Sequence, residues 1–74
     1  MITYENLIAL GFKDPANNGM GCRISISANH EIAYYVIGND IRYQTKGSGF
    51  TQILHCKNLE DIKTIYRILT DKAL

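Results

Sequence analysis

Apolar positions along the chain follow two different periods. Tyr4, Leu7, Ile8 and Leu10 make a short stripe at helical spacing. Thr3 stands where an N-cap hydroxyl accepts from an orphan backbone N–H. Ile2 and Leu7 have the spacing of a hydrophobic staple. Gly11 suits the left-handed position after a helix, and Phe12 can fold back on the helix end. These features predict a helix of about two turns, held by packing rather than by propensity.

Residues 13–21 read as a loop, with the lone proline at 15 and an Asn18-Gly19 pair suited to a tight turn. From residue 22 the period changes to two. Cys22, Ile24, Ile26 and Ala28 alternate with Arg23, Ser25 and Ser27, which predicts a strand over 22–28 with one wet face. Asn29-His30 is the expected turn. Residues 31–37 are apolar on both faces after Glu31 and predict a central strand. A turn is expected at 38–40. A strand over 41–45 sets Ile41, Tyr43 and Thr45 against Arg42 and Gln44. Residues 46–49 make a third turn. Residues 50–56 can form a fourth strand, whose faces are less cleanly sorted. Connections this short predict an antiparallel meander in sequence order.

The last segment is the most regular. Leu59, Ile62, Ile65, Tyr66 and Leu69 recur at helical spacing. Asn58 is placed as N-cap and Asp61 approximates a capping-box partner. Glu60 and Asp61 sit where the helix dipole favours anions. A helix over 58–71 is about 21 Å long at ~1.5 Å per residue and matches the length of a strand. The expectation is one small α+β domain over residues 1–74. A three- to four-stranded antiparallel meander carries a short N-terminal and a longer C-terminal helix on one face.

Composition narrows the functional classes. The chain has 74 residues, 46% of them apolar, and a formal net charge of +1. A domain of this size holds one small core, which argues against a deep substrate pocket. Near-neutral charge argues against a polybasic nucleic-acid binder. Residues 1–37 carry net −1 and residues 38–74 net +2, with no run of like charge. No basic n-region followed by an apolar run opens the chain, and no apolar stretch reaches ~18 residues. The expected setting is cytoplasmic, with no membrane partner.

Candidate chemistry is sparse. Cys22, His30, His55 and Cys56 lack zinc-finger spacing, and consecutive strand residues 55 and 56 would point to opposite faces. The simpler reading makes Cys22 and Cys56 reduced, partly buried residues. A bond between them requires adjacent strands. No nucleophile, base and orienting group can be assembled from spacing, so no enzyme activity, cofactor, metal or small-molecule substrate is expected. Lys46-Gly47-Ser48-Gly49 can form an anion nest but lacks the order of a phosphate loop, and a hairpin turn accounts for it.

Two binding readings remain. Protein association, including a homodimer, is favoured because a 32–37 run apolar on both faces needs more cover than one helical layer supplies. Five tyrosines and no tryptophan suit an amphipathic contact surface. Its candidate residues are Tyr34, Tyr35, Ile37, Tyr43 and Leu74. The alternative is weak single-stranded nucleic-acid binding by Arg23, Arg42 and Lys46 around Tyr43.

The start Tyr4–Phe12 and the close Leu59–Thr70 resemble short single-domain proteins of phages and bacterial mobile elements, a loose set with no assigned activity. The resemblance implies a small accessory or host-interaction factor. It assigns no functional residue.

Overall fold

The computed structural model describes residues 2–47 and 49–74. Its order is α1 (Tyr4–Leu10), β1 (Gly21–Ser25), β2 (His30–Tyr35), β3 (Asp40–Thr45), β4 (Thr51–Leu54) and α2 (Leu59–Thr70). The four strands form one antiparallel sheet in the order β1-β2-β3-β4. The fold is α+β, as the two periods predict. Ser48, in the expected third turn, lies outside the described residues.

Local chemistry sets the helix ends. Thr3 Oγ1 accepts from the Asn6 N–H at 3.1 Å. Gly11 takes a left-handed φ of 114°, and its N–H donates to the Ile8 carbonyl. Asn58 Oδ1 accepts from the Asp61 N–H at 3.0 Å. Asp61 completes the reciprocal bond with the Lys57 N–H at 2.8 Å, one residue before the cap itself. α2 closes at Asp71, whose N–H donates to the Arg67 carbonyl at 2.7 Å.

Strand ends depart from the alternation. β1 stops at Ser25 rather than residue 28. Ile26 and Ser27 both donate to the His30 carbonyl, and Ser27 Oγ accepts from the Asn29 N–H. A serine-rich segment thus offers the backbone local partners in place of a ladder. His30 belongs to β2, not to the turn. β2 stops at Tyr35, two residues short of the expected end. The Asn39 N–H donates to the Val36 carbonyl, and Asn39 takes a left-handed φ of 54°. The Tyr34 hydroxyl donates to Asn39 Oδ1 at 3.0 Å and ties this turn to the strand. β4 covers only 51–54, so His55 and Cys56 lie beyond it.

The register sorts the faces. One row runs Cys22, Tyr34, Ile41, Leu54 and the next runs Ile24, Ile32, Tyr43, Gln52. Leu7, Phe12 and Ile62 join this face in a single apolar cluster with Ile2, Cys22, Ile32, Tyr34 and Ile41. Residues from both helix regions therefore close one side of the sheet. On the other side the rows run Arg23, Ala33, Arg42, Ile53 and Ser25, Glu31, Gln44, Thr51.

Candidate interaction surface

The uncovered face is dressed by its own side chains. Glu31 is only 3% exposed. Its carboxylate accepts from Gln44 Nε2 at 2.8 Å and from Arg23 Nη1 at 3.4 Å. Gln44 in turn accepts from the Tyr35 hydroxyl at 3.1 Å. To reach Gln44, the Tyr35 ring lies along the sheet. The Arg42 guanidinium stands 5.0 Å from its centroid and pairs with Asp40 at 3.0 Å. Ala33, between Arg23 and Arg42, is 3% exposed as a result. The expectation of an apolar second face is therefore corrected. The strand ends before Val36 and Ile37, and a hydrogen-bonded polar layer covers Ala33.

The predicted contact residues do not share a surface. Tyr34 is buried in the core row, with its hydroxyl on Asn39. Burial, the Cys22 thiol and Glu5 raise its pKa above that of an ordinary phenol. Tyr43 lies on the helix side, stacked on His30 at 5.3 Å and edge-on to Phe50 at 6.0 Å. Leu74 is partly buried against the apolar cluster. Only Tyr35 and Ile37 lie together, at the β2–β3 end. Of the basic set, Arg23 and Arg42 share the uncovered face, and Lys46 Nζ reaches Ser25 Oγ on it at 2.7 Å. Tyr43 is on the opposite face, so the aromatic that accompanies these cations is Tyr35.

Around Tyr35 and Ile37 the structure gathers residues the periodicity does not single out. The Val36 N–H donates to the Met20 carbonyl at 2.9 Å, which sets Met20 beside the turn. Ile37 is 83% exposed and Met20 46%. Between the 14–20 loop and the β1–β2 pair lies a cleft of about 180 Å³, lined by Pro15, Ala16, Met20, Arg23 and Tyr35 among others. Gly21 faces Tyr35 across the register. A Cβ there would come 2.7 Å from the Tyr34 carbonyl oxygen, so the position takes only glycine and the cleft floor stays bare.

Asp14 holds the loop that forms the cleft wall. It accepts from the Tyr4 hydroxyl at 2.6 Å, the Asn17 N–H at 2.9 Å and the Gly19 N–H at 2.8 Å. These bonds, the tyrosine's first, lower the Asp14 pKa from its usual 3.8. The same carboxylate pushes Tyr4 up to about 12. Burial pushes the Cys22 thiol up to about 11 and raises Cys56 as well. Both cysteines are free. Cys22 lies in β1, and Cys56 in the segment after β4, partly buried against the apolar cluster. Among the described residues, no group of three or more His, Cys, Asp and Glu side chains could hold a metal ion. Among them, too, no helix is long and apolar enough to cross a membrane. Comparison of the chain with protein-family models, curated proteins and solved structures finds no match.

Proposed function

We infer that the chain is a small protein-binding module that also self-associates, and that it meets its partner at the Met20–Ile37 end of the sheet. The observation that carries this is the exposure of Met20, Tyr35, Val36 and Ile37 at one end of the sheet, where Met20 and Tyr35 also line a cleft. Methionine, tyrosine and arginine are the types that interfaces favour. Arg23 adds chemistry at the rim. Its bond to Glu31 is long, at 3.4 Å, and leaves most of its five donors free. A segment presenting an apolar side chain beside an acidic one fits this combination. The resemblance to phage accessory proteins makes a host protein the partner to try first, in a cytoplasmic setting.

The test places a photo-crosslinking residue at Ile37, which is largely exposed, and a control at Glu60 on α2. In native lysate, position 37 is expected to give one discrete adduct, competed by unlabelled chain and lost with Met20→Asp. Equal labelling from both positions, or no adduct from 37, would overturn the reading.

A second reading has one observation in its favour: Arg23, Arg42 and Lys46 do share a face with an aromatic ring. Weighing against it, Glu31 and Asp40 already pair two of the three cations. Binding of labelled single strands at low salt, abolished by Arg42→Ala with Lys46→Ala, is the result that would favour it.

A further inference from the structure

β4 is an outer strand, and its outward backbone groups follow from the ladder. The Thr45 N–H donates to the Phe50 carbonyl, so 45 and 50 form a hydrogen-bonded pair. Antiparallel pairs alternate, which gives the even residues of 50–54 to β3 and leaves the N–H and C=O of Thr51 and Ile53 pointing out of the sheet. The strand carries no charge, proline or bulge, the usual devices that protect an edge. Thr51, Gln52 and Ile53 are exposed, Ile53 at 49%, and Phe50 beside them at 53%.

We propose that two copies of this chain pair antiparallel through β4, with a two-fold axis at Gln52. This gives a location to the self-association in the functional reading and does not depend on the Met20–Ile37 surface.

The register is dictated by chemistry. Outward groups must meet outward groups, so odd residues face odd residues, and only the axis at Gln52 uses Thr51 and Ile53 of both copies. Each Thr51 then exchanges two hydrogen bonds with Ile53 of the second copy. The same register sets Phe50 against the second copy's Leu54 in the closely spaced, non-hydrogen-bonded type of pair. Leu54 already packs on the apolar cluster, so each exposed Phe50 extends the core of the other copy. An axis normal to the sheet keeps all four helices on one side of an eight-stranded sheet. It also sends the two Met20–Ile37 ends in opposite directions. A contact this small belongs to the weak, reversible class of interfaces.

The direct test is cysteine crosslinking in the full chain with Cys56→Ser. Gln52→Cys puts two thiols opposite each other at the axis, within disulfide reach. Thr51→Cys leaves them two residues apart. Mild oxidation is expected to link the first at least tenfold faster than the second; equal rates, or no dimer, would overturn the pairing. Ile53→Pro gives an independent readout, because it removes an N–H that β3 does not use. It is expected to hold the parent's unfolding midpoint in dilute solution and to shift sedimentation from a monomer–dimer equilibrium to monomer. If the parent is itself monomeric up to near-millimolar concentration, the pairing is wrong. Met20→Asp should still dimerise while losing the partner captured from position 37, so the two ideas fail separately.

Discussion

The two edges of the sheet are handled in opposite ways. At β1, Lys13 lies alongside Arg23 and exchanges two backbone bonds with it, each 2.8 Å. That short bridge closes the middle of the edge with a charged residue, and the Asp14 hydrogen bonds hold the adjoining loop in place. At β4 the corresponding groups of Thr51 and Ile53 have no strand beside them among the described residues, and the side chains are uncharged. An edge is a template for further pairing unless it is covered or charged. One sheet therefore has a closed side and an open side, and strand pairing between copies is expected only at the open one.

The strongest way to break this contrast is to release the closed edge. Phe12 is 2% exposed and leads directly into Lys13. Phe12→Ala should cost about 3–5 kcal/mol. A domain of this length has roughly 4–11 kcal/mol in total. Urea unfolding is expected to show a large drop in midpoint, and a loss below ~1 kcal/mol would mean that Phe12 does not anchor the bridge.

A smaller effect comes from acid. The Asp14 carboxyl has a lowered pKa in the fold, so its contribution is complete above the unfolded value of 3.8 and is lost as pH falls through the lower folded value. Below that value the Asn17 and Gly19 amides should exchange several-fold faster relative to intrinsic rates, while the β2 and β3 amides keep their protection. Asp14→Asn should show the loosened loop at neutral pH. Loop amides indifferent to both changes would remove the carboxylate from its assigned role.

Much of the fold is legible in the residues themselves. Thr3, Gly11 and Asn58 act through bonds to neighbours only a few positions away, so their identity is enough. Strand ends are less legible. Val36 and Ile37 continue an apolar run, yet β2 stops because Asn39 adopts a left-handed turn that the Tyr34 hydroxyl secures. For the surface, the alternation of Ile41, Tyr43 and Thr45 against Arg42 already separates Tyr43 from the arginines. Likewise Glu31, Ala33 and Tyr35 fall on one face and give it a polar cast. The apolar count over 32–37 hides both signals. Met20 carries no periodic signal, because the bond from Val36 that positions it crosses fifteen residues of chain.

Amide exchange measured at low and high protein concentration addresses the open edge most directly. The Thr51 and Ile53 amides should be weakly protected when dilute and gain protection as concentration rises, while Arg23, bonded to Lys13, stays unchanged. Protection at 51 and 53 that does not vary with concentration would contradict pairing at β4.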